Sequence, residues 1–205
     1  MIVAYTDYDC ISRVLAGAAR MFVQKAVKHV THELPPKKSL AASIGDVLKQ
    51  NPAPLLFFGH GQVLPPGLIG QDRKPAISGQ HAQFVANRFV VGVSCYSYEV
   101  LSALAPARPV AALAFKGRLA VPLLDPYRGC LQACILEGLQ SLLNRDPVGA
   151  ARIKMKAAFQ KVAWHLQGVE WSDFQQMFEL HAMWHAFERN VEATNHMGND
   201  SQALF

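Results

Sequence analysis

Apolar residues run almost unbroken at two places in the chain. The first is Pro54-Leu55-Leu56-Phe57-Phe58-Gly59-His60-Gly61; the second is Arg88-Phe89-Val90-Val91-Gly92-Val93-Ser94-Cys95-Tyr96-Ser97. Neither alternates polar with apolar, so each reads as a short strand buried on both faces, as in a parallel sheet covered by helices. Residues 2–6 (Ile-Val-Ala-Tyr-Thr) read as an earlier strand. Ile11 to Val23 follows as a helix, with Val14, Leu15, Ala18, Ala19 and Phe22 on one face and Asp9 as its cap. Val27 to Leu34 alternates as a second strand, ended by Pro35-Pro36. Ser39 to Lys49 is a helix with Ile44 and Leu48 on one face, stopped by Asn51-Pro52-Ala53-Pro54. Gln62 to Gly79 holds three Pro, three Gly and no period, which predicts a loop. A loop that long beside a site is more often functional than idle. Gln80 to Asn87 is a short helix.

Past the second run, Glu99 to Leu104 reads as a helix, Pro109 to Phe115 as a strand and Lys116 to Tyr127 as a connection. Arg128 to Leu143 is a strong helix. Pro147 opens another that runs to about Leu166, and Trp171 to Thr194 is a last amphipathic helix. The tail from Asn195 to Phe205 is expected to fray. Strands alternating with helices and then helices alone predict an α/β fold: a mostly parallel sheet flanked by helices, with a helical C-terminal third. Residues 1–205 are expected to form one domain, with a helical extension over about 168–205.

Two adjacent parallel strands would carry His60 and Cys95 to one edge of the sheet, outside the carboxyl ends where sites of open α/β sheets lie. A Cys beside a His is the minimum for a thiolate nucleophile with a general acid/base. The alternatives are a buried structural thiol for Cys95 and a turn-capping role for His60.

The order strand, His-Gly, crossover, strand, Ser-Cys resembles the caspase-like cysteine peptidases of clan CD: caspases, metacaspases, separase, gingipains and CHAT proteins. His60 and Cys95 are 35 residues apart, against about 50 in caspases. The strand Val110–Phe115, the loop with Asp125, the helix Gly129–Leu143 and the segment Ala150–Phe159 are most similar to the C-terminal half of CHAT peptidases. The likeness covers about residues 1–165. Ser94 fits the small residue that precedes the family's Cys, whereas Val93 stands where caspases have Gln and metacaspases Asp. Tyr96-Ser97-Tyr98-Glu99 replaces the Gly-rich stretch that often follows.

The resemblance implies a caspase-like or flavodoxin-like fold with Cys95 as nucleophile and His60 as the acid that protonates the leaving amine. The N–H groups of Gly61 and Cys95 would be the oxyanion donors. The helix after Cys95 would favour a thiolate. The family recognises the side chain before the cut with a charged pocket. Asp7 and Asp9, at the end of the first strand, point to cleavage after a basic residue, with Asp125 a further substrate-binding candidate and Arg73 the residue to test for an acidic preference. Turn formation by Asp7 and helix capping by Asp9 are the competing readings. Stand-alone bacterial CHAT proteins often act in defence or cell-death systems switched on by a partner. That implies an antiviral role here and activation in trans, or self-association through the C-terminal helices.

Hydrophobic residues make up 51% of the 205 and charged residues 17%, as expected of a globular chain. No apolar run approaches the roughly 18 residues of a membrane span, and Met1–Asp7 lacks the basic start of a signal peptide, so a cytoplasmic protein is expected. Cys10, Cys95, Cys130 and Cys134 then read as free thiols. The net charge of +5 is scattered rather than gathered, so no nucleic-acid partner is expected. His181 and His185, spaced i, i+4, could face a metal, but Ala182 stands where the zincin motif has Glu and the neighbouring aromatics suggest packing. No cofactor and no metal are expected. Trp164, Trp171, Met177, Phe178, Trp184 and Phe187 read as core or as a partner surface. Three functions follow: a cysteine endopeptidase acting on proteins or peptides, a silent caspase-like interaction module, and a small-molecule thiol hydrolase or transferase.

Overall fold

In the computed structural model, which describes residues 1–104, 107 and 109–204, strand Ile2–Tyr5 (β1) leads into helix Cys10–Lys25 (α1), strand His32–Leu34 (β2) and helix Ala41–Gln50 (α2). Leu55–Phe58 (β3) is followed at once by His60–Val63 (β4), Pro66–Ile69 (β5) and Pro75–Ile77 (β6). Helix Ala82–Val85 (α3), strand Phe89–Val93 (β7), helix Ser97–Ser102 (α4) and strand Ala111–Phe115 (β8) complete the alternating part. Helices Tyr127–Leu143 (α5), Val148–Gln167 (α6) and Phe174–Ala193 (α7) then run into a last strand, Thr194–Gly198 (β9).

The main sheet has the order β2-β1-β3-β7-β8-β9. Every pair is parallel except β8–β9. Successive residues of each central strand enter different cores. Val3, Tyr5, Leu56, Phe58, Val91, Val93, Leu113 and Phe115 pack against α1, α5, α6 and α7. Ile2, Ala4, Leu55, Phe57, Val90, Ala112 and Ala114 pack against α2, α4 and the small sheet β4-β5-β6. Cover on both faces is why β3 and β7 show no polar alternation.

Three expectations are corrected. Of Val27–Leu34, only His32–Leu34 is strand: α1 runs to Lys25, and Val27 and Val30 stand in solvent at 79% and 93% exposure, so their alternation buries nothing. The stretch Gln62–Gly79, expected to be a loop, completes β4 and forms the rest of a three-stranded antiparallel sheet. Its strands are three or four residues long, with a register shift at Leu68/Ile69, too short and irregular to show a period. The tail does not fray at its start: Thr194–Gly198 pairs antiparallel with β8. That strand is polar apart from Met197, which packs against the core, and it joins mainly through its backbone. Gly198 ends it at φ +82, where a Cβ would lie 2.2 Å from the Val110 carbonyl oxygen, so only glycine fits. Phe205 lies outside the described residues.

Candidate active site

Parallel pairing sets Phe58 beside Val93. His60 and Cys95 each lie two residues beyond that pair, so the register delivers both to the carboxyl edge of the sheet. Neither lies in the strand that leads to it: His60 opens β4, and Cys95 sits in the turn between β7 and α4. The two segments touch at Gly61. A Cβ there would fall 2.0 Å from the Cys95 carbonyl oxygen and 3.0 Å from Ser94 Oγ. Glycine is needed at position 61 so that the His-bearing strand can close onto the Cys-bearing turn.

His60 is held on two sides. Its Nε2 is 2.8 Å from Asp9 Oδ2 and 3.0 Å from Oδ1. Its ring stacks on Tyr8, centroids 5.2 Å apart and planes 27° apart, and the Arg73 guanidinium lies 5.3 Å over the other ring of that pair, Tyr8. Asp9 is itself fixed as the N-cap of α1, where its carboxylate accepts from the Ser12 backbone N–H at 2.8 Å and Ser12 Oγ accepts from the Asp9 N–H at 3.0 Å. Partial burial acts to raise the Asp9 carboxyl, but the Ser12 N–H, His60 and the Ser12 hydroxyl outweigh it and bring the group below the ordinary carboxylate value. Burial, together with the nearby Asp9 charge, pushes the Tyr8 phenol up to about 12, so it is a neutral ring at neutral pH.

Cys95 is half-buried, and its thiol donates to the Leu119 carbonyl at 3.7 Å. Burial pushes the thiol above its ordinary value, with hydrogen bonding to the Leu119 backbone and then the Arg118 charge opposing. The expected helix-terminus effect therefore does not dominate: α4 has six residues, and desolvation wins. Tyr96, next in the chain, is in the left-handed region at φ 56. For a non-glycine residue this costs on the order of 1–3 kcal/mol. The local bonds hold it there: the Tyr96 N–H donates to the Gly117 carbonyl at 2.6 Å, and Arg118 Nε donates to the Tyr96 hydroxyl at 3.0 Å. Ser97 Oγ, fully buried, donates to Gly92 O and accepts from the Phe115 N–H, tying the turn to the strands beneath it.

The three substrate-binding candidates are all engaged. Asp7 exchanges hydrogen bonds with Gln71, its N–H donating to Oε1 at 2.8 Å and its Oδ1 accepting from Nε2 at 3.1 Å, while Arg20 stands 3.7 Å from Oδ2. Asp9 holds His60. Asp125 is exposed and ion-paired to Arg128 one turn on. Beside the Cys95 turn, Lys116, Arg118 and Arg189 line an open depression of about 400 Å³ with Glu192 and Ala193. Among the described residues no group of three or more His, Cys, Asp or Glu is placed to hold a metal. His181 and His185 stack edge to face, centroids 4.4 Å apart, beside Trp184.

No family model matches the chain, and no curated protein is similar to it in sequence. A solved structure is similar in fold: the Arg-specific cysteine proteinase gingipain R, with a TM-score of 0.53, 98% of this chain covered and 12% identity. The chain spans 46% of the length of that protein's chain. The fold is caspase-like. Sequence reasoning pointed to His60 and Cys95 through the strands before them, whose segments meet at Gly61, and placed Asp9 nearby as a cap. It missed Asp9 as the partner of His60, the Tyr8 stack, and the grip of Gln71 on Asp7. The available signal was that β1 and β3 are neighbours, so the residues after Tyr5 must meet those after Phe58.

Proposed function

We propose that this chain is a cysteine peptidase, with Cys95 as nucleophile, His60 as general acid/base and Asp9 as the residue that orients His60. In the reaction the thiol proton passes to His60 as sulfur bonds to the peptide carbonyl carbon. The C–N bond then breaks as His60 returns the proton to the leaving amine; water, deprotonated by His60, adds to the thioester carbonyl, and the C–S bond breaks as that proton passes from His60 to sulfur. The Asp9 carboxylate opposite Nε2 favours the protonated ring that forms between these steps. Backbone N–H groups of Gly61 and Cys95 are the proposed oxyanion donors. One observation carries the reading: β3 and β7 bring an Asp-paired His and a Cys to equal offsets beyond one in-register pair, with Gly61 joining the two segments.

The residue recognised before the cut has two candidates. A basic side chain would take the place of Arg20 at the Asp7 carboxylate; the structural neighbour is described as Arg-specific. An acidic side chain would enter the depression formed by Lys116, Arg118 and Arg189. The likeness to CHAT peptidases, a bacterial defence role and an activating partner rest on the order of elements alone and form the outer part of this proposal. Self-association has a physical surface: Trp164, Trp171, Phe174 and Phe178 are 67%, 58%, 68% and 57% exposed around the α6–α7 turn.

Cleavage of a fluorogenic peptide panel by the wild type, Cys95→Ala and His60→Ala tests the proposal. Turnover abolished by both substitutions supports it, and turnover that survives Cys95→Ala overturns the nucleophile. Preference for Arg or Lys that Asp7→Asn removes selects the first candidate, and preference for Asp or Glu that Arg118→Ala removes selects the second. A wild type inert to every peptide, with Cys95 unreactive to iodoacetamide, points instead to a silent interaction module.

A further inference from the structure

The carbonyl that receives the Cys95 thiol belongs to a segment with no regular structure, residues 116–120, between β8 and the loop toward α5. Two sets of hydrogen bonds fix that segment. Toward the nucleophile turn, the Gly117 carbonyl accepts from the Tyr96 N–H at 2.6 Å, and the Gly117 N–H donates to Glu99 Oε1 at 2.8 Å. Toward α7, the Lys116 N–H donates to the Ala193 carbonyl at 2.7 Å. The strongest grip is Asn190. Its side-chain oxygen accepts from the Ala120 N–H at 2.8 Å, and its amide donates to the Ala120 carbonyl at 2.8 Å.

Asn190 is fully buried, on the α7 face that also buries Phe187 and Ala193. An aliphatic side chain would fill that space without desolvating an amide, so the amide is useful there only through what it bonds. Both of its functions, donor and acceptor, go to one residue of one loop. That residue is adjacent to Leu119, itself 5% exposed, whose carbonyl is the acceptor for Sγ. A carbonyl one peptide away from a two-point clamp has little freedom to leave the thiol.

We propose that Asn190 is a positioning residue for Cys95: from α7 it fixes the 116–120 segment so that the Leu119 carbonyl holds the thiol proton and restrains sulfur in its resting place. The last helix thereby sets the reactivity of a side chain in the turn between β7 and α4. The meaning of this control rests on Cys95 being the nucleophile, but the contact itself does not.

Site-resolved alkylation tests it without needing turnover. Wild type and Asn190→Ala are exposed to limiting iodoacetamide at neutral pH, and the rates at Cys10, Cys95, Cys130 and Cys134 are read by mass spectrometry. Cys10 is exposed and Cys134 buried, so they report reagent activity and global opening. Amide hydrogen exchange at Ala120 is followed in parallel. The expected result is faster exchange at Ala120 and about tenfold faster alkylation of Cys95, with Cys134 still slow. An unchanged Cys95 rate with Ala120 freed overturns the proposal. A parallel rise at Cys134 also overturns it, because Asn190 would then be holding the fold rather than the thiol. Where Asn190→Ala does not fold, Asn190→Asp keeps the acceptor for the Ala120 N–H, loses the donor, and is read the same way. Peptide cleavage that survives Cys95→Ala alongside the expected alkylation pattern would sink Cys95 as nucleophile and leave this inference standing.

Discussion

The Asp9–His60 contact joins two roles in one carboxylate, and substitutions separate them. Asp9→Asn keeps a good cap for α1 but loses the charge opposite Nε2, so kcat should fall on the order of 10²-fold with little change in Tm. Asp9→Ala should lose the cap as well, about 1 kcal/mol, and lower both. Equal activity in wild type and Asp9→Asn would remove Asp9 from the site. At Cys95 the raised thiol predicts that the midpoint of the alkylation–pH profile with iodoacetamide lies above that of a free cysteine, about 8.5; a midpoint at or below that pH would contradict the burial seen here. How much of this was legible follows from the same residues. His60 and Cys95 terminate apolar runs that sequence shows directly. The Asp9 role was not legible, because it depends on which strand lies beside β3, a fact held in the crossover connections rather than in any local pattern. Tyr8 and Gln71 carry no periodic signal at all.

At the scale of elements, the strands that bury both faces were predicted, the edge strand β2 was predicted with its start too early, and β4, β5, β6 and β9 were not. Hydrophobic period reports burial, and β2, β4 and β9 are held mainly by backbone pairing at the margins. β9 is the clearest case: of its residues Thr194-Asn195-His196-Met197-Gly198 only Met197 is a large apolar side chain, yet they pair across all of β8. Gly198→Ala should therefore destabilise the protein by about 1–3 kcal/mol through the forced backbone conformation, more than a surface substitution gives. A denaturation midpoint equal to wild type would mean that β9 is not held as described. Helix α5 supplies a second measurable effect. Burial pushes the Cys134 thiol up to about 12. Above the ordinary thiol value the unfolded chain loses this proton and the folded chain keeps it, so ionisation favours unfolding. Stability should fall as pH rises from about 8.5 toward 12, with this one group contributing up to about 1.4 kcal/mol per pH unit. Cys134→Ala should make the alkaline limb shallower, whatever it costs in packing at neutral pH.

The whole molecule puts its candidate site at one end of the sheet and its largest uncovered apolar side chains, among the described residues, on another element pair. Phe174 and Phe178 stack edge to face, centroids 4.6 Å apart, in the first turns of α7, with Trp171 just before them and Trp164 near the end of α6. The four side chains expose roughly 500 Å² in all, taking 150–250 Å² for each when whole, which is a large part of the roughly 800 Å² that each partner gives to a stable interface. A groove of about 910 Å³ opens near the same turn, floored by Ala157, Ala158 and Val162 and lined by Leu166, Val169 and Leu180. Lys161 and His165 line it as well, while Glu170, Asp173 and Glu179 surround the aromatic residues. Ridge and groove thus lie close together on one copy, as a two-fold pairing of identical chains requires, with Lys154, Lys161 and His165 outnumbering Glu137 along the groove. Sedimentation equilibrium should show self-association that Phe178→Asp with Trp171→Ser abolishes, while each variant chain keeps the wild-type Tm. Salt should weaken the association if the charged rims meet, since exposed ion pairs are screened. A chain that stays monomeric at tens of micromolar, or a double variant that associates as before, would leave this surface to a different partner.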